Sequence, residues 1–214
     1  MEKIAKFHKV SMQRFEKDWG TAFPGTDAAE IQRIYEALRL PVRATKGSAG
    51  YDFFAPAAVS LKPRETIKIP TGIRAEIQEG WVLQLFPRSS LGFTYRLQFN
   101  NTVGIIDSDY FESDNEGHIF IKMMNDSTEG KTVQIRKGDG FAQGIFLPFG
   151  ICEDDDVQKQ RNGGFGRTLN LQLFLLCAIC VQQVRIHIVS INKYICKVLW
   201  KHGVSCDRHV ILIK

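Results

Sequence analysis

The residues best suited to chemistry sit in one short run, Gly104-Ile105-Ile106-Asp107-Ser108-Asp109-Tyr110. An apolar stretch that reads as a buried strand end delivers a carboxylate, Asp107, and then a phenol, Tyr110. A carboxylate at the mouth of such a strand can orient a water molecule. A tyrosine ring beside it can pack flat against a sugar face and exclude a bulkier sugar. Asp-Ser-Asp is also ordinary turn chemistry, so the run gains weight only from four other segments.

Ala49-Gly50-Tyr51-Asp52-Phe53-Phe54-Ala55 puts a glycine before an aromatic–Asp pair at a strand start, where Asp52 can hold a water of a hydrated cation or simply begin a strand. Pro87-Arg88-Ser89-Ser90-Leu91-Gly92 follows an apolar strand with an Arg fork and two adjacent hydroxyls. That is a cradle for phosphate oxygens, or a capped turn carrying an exposed arginine. Asn100-Asn101 precede the strand that ends at Asp107; an asparagine can pair with an imide edge such as that of uracil, or close a turn. Gly138-Asp139-Gly140-Phe141-Ala142-Gln143-Gly144 leads into a strand with one inward polar residue, Gln143, which needs a partner if buried. Arg161-Asn162-Gly163-Gly164-Phe165-Gly166-Arg167-Thr168 is a glycine string carrying one aromatic ring between cations, the make-up of a lid over a base and a polyphosphate.

The elements that must hold these segments are mostly strands. Thr66–Ile69, Ile73–Ile77, Trp81–Phe86, Thr102–Ile106, Ile119–Met123, Val133–Ile135 and Phe141–Leu147 are short alternating or apolar runs, punctuated by Gly, Pro, Asn and Asp. That is the pattern of an all-β sandwich or barrel. No long helical stretches alternate with them, which argues against a parallel α/β sheet. Residues 1–42 read as a helical extension: Asp27 and Glu30 resemble a capping box, and Ile31, Ile34, Tyr35 and Leu38 recur at helical spacing before Pro41. Four regions result: a helical extension over 1–42, a β domain over 43–150, a glycine-rich lid over 151–168 and an atypical tail over 169–214.

The chain has 214 residues and a formal charge of +5, which suggests nucleic acid until the charge is located. Residues 169–214 hold six Lys/Arg and a single acid, leaving 22 basic and 22 acidic residues in 1–168. A balanced body does not argue for a nucleic-acid surface. The longest apolar run, Leu173–Val181, is far shorter than the ~18–20 residues of a membrane span. The first residues lack the apolar core of a signal peptide. Four of the five cysteines lie in the tail and only Cys152 in the body, which suits a reducing compartment and makes the cytoplasm the expectation.

Taken in order and spacing, the five segments resemble the five motifs of the trimeric dUTPase (dUTP diphosphatase) family, bacterial or phage type, over roughly residues 42–168. The resemblance implies a jelly-roll subunit, a homotrimer with active sites shared between subunits, and hydrolysis of dUTP to dUMP and pyrophosphate with Mg²⁺ on the triphosphate. That reaction limits uracil incorporation into DNA and supplies dUMP for thymidylate synthesis. The first, second and fourth motifs of a site would come from one chain, the third from another and the fifth from the last. By the same resemblance, Asp107 orients the attacking water and Tyr110 stacks on the deoxyribose and rejects a 2′-hydroxyl. Asn101 reads uracil and sugar, together with Gly104 and the backbone of Ile105 and Ile106. Arg88, Ser89, Ser90 and Gln143 bind phosphate, Asp52 holds metal-bound waters, Phe165 caps the uracil, and Arg161 is the lid's phosphate-binding arginine.

Three departures stand out. Ser90 occupies a usual glycine place in the second motif. Phe111-Glu112-Ser113-Asp114-Asn115-Glu116-Gly117 replaces a tight turn after Tyr110 and suggests a longer hairpin. In the fifth motif Arg167 stands at a serine place and Leu169 at a glycine place. The tail beyond resembles no family feature, and a shifted reading frame would produce such a junction. Its Cys177-Ala178-Ile179-Cys180 has zinc-ligand spacing, but the later Cys and His spacings fit no common finger. Two rivals remain: a dCTP deaminase of the same fold, disfavoured by Tyr110 and the Gly-Gly-Phe-Gly lid, and a non-catalytic nucleotide-binding or regulatory protein.

Overall fold

A computed structural model of the chain describes residues 2–158 and Arg161. In chain order the elements are β1 (Ala5–Lys9), α1 (Met12–Ala22), α2 (Ala28–Glu36), β2 (Val42–Arg43), β3 (Tyr51–Phe54), β4 (Val59–Leu61), β5 (Thr66–Pro70) and β6 (Ile73–Ile77). They continue with β7 (Trp81–Pro87), α3 (Ser89–Tyr95), β8 (Leu97–Phe99), β9 (Gly104–Ile106), β10 (Phe120–Asn125), β11 (Val133–Ile135) and β12 (Gly140–Pro148). Among the described residues the strands form four antiparallel groups: β2-β3-β12-β7-β9, β5-β10-β8, β1-β6 and β11-β4. This is the mainly β arrangement expected from the strand pattern, in keeping with the jelly roll that the resemblance implies.

Alternation explains the layering. Ile73, Ala75 and Ile77 of β6 are buried while Arg74 and Glu76 turn outward. Val133 and Ile135 of β11 flank an exposed Gln134. The inward residues join Phe53, Ile69, Leu83, Leu85, Ile119, Met123 and Phe141 in one core. Strands β2, β3, β4 and β8 are two to four residues long, too short for periodicity to show. β9 begins at Gly104 rather than Thr102, because Thr102 takes a left-handed φ of 65° in the preceding turn.

The extension has its own core of Val10, Phe15, Trp19, Ile31, Ile34 and Leu38. Burying a side chain such as Phe15 contributes roughly 1.5–3 kcal/mol. Asp27 caps α2, its Oδ1 accepting from the Glu30 N–H at 2.8 Å. Residues 5–9, expected within the helical extension, instead form β1 on the edge of β6, from Ala5 opposite Ile77 to Lys9 opposite Ile73. Tertiary packing decides this, because β1 delivers Phe7 to the rings of Tyr51, Phe53 and Phe146 at 5.4, 5.7 and 5.6 Å.

Gly72 joins the two cores at the β5–β6 turn. Its φ is +73°, and a Cβ there would stand 2.3 Å from Leu38 Cδ1. No L side chain satisfies both conditions.

The 111–117 segment is not a hairpin arm. β9 pairs with β7, whereas β10 pairs with β5 and β8, so the chain crosses between sheets here. A 3-10 turn over Ser108–Glu112 starts the crossing. Its remainder is drawn to α1, where Ser11 donates from its N–H and Oγ to the Glu116 carboxylate at 2.8 and 2.7 Å. Arg14 adds a hydrogen bond to the Asp114 carbonyl at 2.8 Å.

Candidate active site

The expected site residues fall into two groups. The first lies where β3, β12 and β7 run side by side. Asp52 of β3 is opposite Gln143 of β12, which in turn is opposite Phe86 of β7. Arg88 follows β7 and precedes α3, and its Nε lies 3.5 Å from the Asp52 carboxylate. The two side chains are 41% and 17% exposed, so the guanidinium is presented to solvent while the acid that orients it is set back. Gly140 makes room, since a Cβ there would come within 2.7 Å of Arg88 Nη1. Ser89 and Ser90 are exposed on the first turn of α3. A guanidinium fork, a side-chain amide and two hydroxyls are a donor set for oxyanions.

The second group surrounds the end of β9. Ile106 is buried between sheets, Ile105 is 51% exposed on the edge strand, and Asp107 leaves the strand just beyond. Arg161 Nη2 closes on the Asp107 carboxylate and its Nε bonds Asp109 at 3.0 Å. The Arg161 guanidinium also stands 5.8 Å from the centre of the Tyr110 ring. Tyr110 is only 3% exposed, so the ring is a fixed floor rather than a flap. Its hydroxyl donates to the His118 carbonyl at 2.8 Å and accepts from Asn115 Nδ2 at 2.7 Å. Burial pushes the Tyr110 phenol up to about 12 against the Asn115 hydrogen bond, which pulls it down. Asn101 lies exposed on the turn before β9.

Within one chain Asp107 and Arg88 do not meet. Ile106 is opposite Leu83, which sets Asp107 level with Val82, and Arg88 lies beyond the other end of β7. Six residues of strand separate them, roughly 20 Å at ~3.3 Å per residue. No pair of side chains spans that gap.

His118 completes the surroundings of the second group. It is fully buried, with Nε2 accepting from the Gly72 N–H at 2.8 Å and Nδ1 2.7 Å from Asp18 of α1. A backbone N–H on Nε2 requires a lone pair there, so the ring is neutral and donates from Nδ1. Burial lowers the His118 pKa, and the Asp18 hydrogen bond and charge only partly restore it. Glu116 feels a burial penalty that the two Ser11 hydrogen bonds, with Arg14 and Arg74, outweigh, leaving its carboxyl below its ordinary value.

Asp109, Asn115, His118 and Asp18 were absent from the residues expected to matter. Asp109 was visible only as half of an Asp-Ser-Asp turn. The others carry no local signal, since Asp18 and His118 are 100 residues apart. Phe165, Arg167, the rest of the lid from 162 and the Cys177/Cys180 pair lie outside the described residues. Among the described residues no group of three or more His, Cys, Asp or Glu is arranged to hold a metal. No helix among them is long and apolar enough to cross a membrane.

Known proteins resemble this chain in sequence and fold. The dUTPase family pattern covers residues 36–169. The deoxyuridine 5′-triphosphate nucleotidohydrolase of Lactococcus lactis subsp. lactis (strain IL1403) is 44% identical over 134 residues, 61% of this chain and 88% of that protein. Its counterpart in Hahella chejuensis (strain KCTC 2396) is 37% identical over 145 residues, 64% of this chain and 91% of that protein. The crystal structure of dUTPase from Streptococcus mutans is similar at 34% identity and a TM-score of 0.51, covering 69% of this chain and 98% of that one. A mutant dUTPase from phage phi11 of S. aureus, described with a structural Mg(II) ion, shares the fold at 23% identity and a TM-score of 0.51, covering 73% of this chain and 98% of that one.

Proposed function

The chain belongs to the dUTPase family and hydrolyses dUTP to dUMP, and we propose that its two groups of residues do this by meeting across subunits of a homotrimer. The observation that carries the assembly is the separation of Arg88 and Asp107 along β7. Exposed Ile105, Leu147, Phe149 and Ile151 offer apolar area for subunit contacts to cover.

Asp107 orients a water toward the α-phosphorus, and pyrophosphate leaves on the opposite side. Arg88, Ser89, Ser90 and Gln143 take the phosphate oxygens from a neighbouring subunit. Arg161 adds a second guanidinium, although here it faces Asp107 of its own chain, whereas the resemblance implies that of another. A triphosphate repels any incoming oxygen nucleophile, so most of the rate must come from positioning and charge neutralisation. Asn101 and the backbone of Gly104, Ile105 and Ile106 read the uracil edge. Tyr110 lies beneath the deoxyribose, a role supported by its fixed ring under Arg161. Phe165 closes over the base.

Mg²⁺ fits this scheme as an ion carried by the substrate. Asp52 is a lone, recessed carboxylate beside Arg88, suited to hold waters of a hydrated ion and not to chelate one unaided. When bound, such an ion neutralises triphosphate charge and polarises the phosphoryl oxygens. The cytoplasm is the proposed setting.

Pyrophosphate release from dUTP, dTTP, dCTP and UTP, each with and without Mg²⁺, tests the assignment. Fast release from dUTP alone, dependent on Mg²⁺, is expected. Ammonia from dCTP, or nucleotide binding without turnover, would overturn it. A monomer that is fully active in sedimentation-controlled assays would overturn the shared site.

A further inference from the structure

We propose that Asn115 and the His118 carbonyl form a positioning clamp on Tyr110, and that this clamp sets how strongly the enzyme rejects a ribonucleotide. It rests on Tyr110 lying beneath the deoxyribose, as proposed above.

Tyr110 Oη is held from two directions, donating to the His118 carbonyl at 2.8 Å and accepting from Asn115 Nδ2 at 2.7 Å. With Cα held at one end and Oη at the other, the long axis of the ring is fixed and the ring cannot swing away from its place. The Asn115 amide is tied at its other end as well, its Oδ1 lying 2.7 Å from Ser113 Oγ, a hydroxyl that also stands 2.7 Å from the Tyr110 carbonyl. The His118 carbonyl cannot drift either. Its imidazole is locked between the Gly72 N–H at 2.8 Å and Asp18 at 2.7 Å.

The residues that brace the clamp come from places that touch no substrate in the proposed site. Asn115 belongs to the segment that replaces a tight turn after Tyr110. Asp18 lies on α1 of the N-terminal extension, and α1 also holds the segment through Ser11–Glu116 at 2.7 Å and Arg14–Asp114 at 2.8 Å. From the β-sheet side, Arg74 Nη2 bonds the Phe111 carbonyl at 2.6 Å. The extension and the inserted segment together make a strut ending on Tyr110.

Rigidity at this point matters because of what must be excluded. A ribonucleotide differs by one added hydroxyl, and an apolar wall rejects such an addition by only about a hundredfold. That figure holds while the wall cannot recede. A ring free to tilt accommodates the 2′-hydroxyl and loses discrimination before it loses turnover of dUTP.

The test compares kcat/KM for dUTP and UTP in Asn115→Ala, Tyr110→Phe, the double variant and Tyr110→Leu, with melting temperature followed in each. Asn115→Ala, which removes one of the two Oη bonds, should lower the dUTP/UTP ratio roughly five- to tenfold while kcat for dUTP changes little. Tyr110→Phe, which removes both, should lower the ratio at least as far. Because Asn115 reaches the ring through Oη, its other side-chain contact to this clamp being a long 3.5 Å one to the His118 carbonyl, the double variant should stay close to Tyr110→Phe alone. Additive losses, or an unchanged ratio in both single variants while Tyr110→Leu loses discrimination, would overturn the clamp. An unchanged ratio in Tyr110→Leu would instead overturn the placement of Tyr110 under the sugar. Should Tyr110→Leu fail to fold, the Asn115→Ala and Tyr110→Phe pair still decides the clamp.

Discussion

Arg161 Nη2 closes on the carboxylate of Asp107 in the same chain, and its Nε reaches Asp109 at 3.0 Å. The residue proposed to steer water and the residue proposed to bind phosphate thus neutralise one another before substrate arrives. A triphosphate offers Arg161 more negative charge than two half-exposed carboxylates do. Substrate binding should therefore exchange the partners of Arg161 and release Asp107 to water.

Replacing Arg161 by glutamine removes a charge-assisted contact to phosphate, typically about 1.5–3 kcal/mol. KM for dUTP should rise on the order of tenfold or more, with kcat changed less because Asp107 is left free. A steady-state titration separates the two constants. An unchanged KM would mean that Arg161 does not leave the carboxylates for substrate.

Asp107→Asn keeps the shape of the side chain but weakens its grip on a water proton. The expected loss in kcat is on the order of 10²–10⁴, with affinity for a non-hydrolysable imido analogue of dUTP within about threefold. Calorimetric binding beside single-turnover kinetics checks both halves. Undiminished turnover would show that another group orients the water.

Gly140→Ala places a methyl 2.7 Å from Arg88 Nη1. The obstructed atom is the far end of a flexible side chain, so Arg88 moves aside and the strand survives. We expect a severalfold rise in KM and a stability change within about 0.5 kcal/mol, as at surface positions generally. Urea unfolding and dUTP kinetics on one preparation distinguish displacement of Arg88 from damage to β12.

Acid should loosen the braced segment in two steps. His118 is neutral in the fold with its pKa below the ordinary 6.5, so the unfolded chain binds the extra proton and stability falls as pH drops below ~6.5. Glu116, whose pKa is also lowered, adds a smaller loss below ~4.5, the carboxylate being mostly exposed. Melting temperature should hold steady above pH 7 and decline between pH 6.5 and 5. His118→Gln, without that titration, should flatten the decline. Parallel curves would mean His118 does not govern it.

The strands from 66 to 147 were legible because each alternates or runs apolar over a buried face. α2 was legible because Asp27 caps it and Ile31, Ile34 and Leu38 share one side. β1 was not, since its five residues become a strand only where the edge of β6 and the pocket for Phe7 exist. Nor could the crossing at 111–117 be told from a hairpin, since local spacing does not say which sheet the next strand joins. Asp107, Arg88 and Gln143 were singled out because five segments, in their order and spacing, resemble one family's motifs, whereas each segment alone also reads as a turn or a cap.

Composition and residue order by themselves determined a β-rich body and the chemical types available to a triphosphate, because those depend on side-chain identity and on periodicities of two and 3.6. Tertiary structure alone decided which of them meet. Asp52, Arg88 and Gln143 converge through strand pairing, Asp107 stands at the opposite end of β7, and Asp18 reaches His118 across 100 residues. Such contacts arise from three-dimensional packing, and no separation along the chain records them.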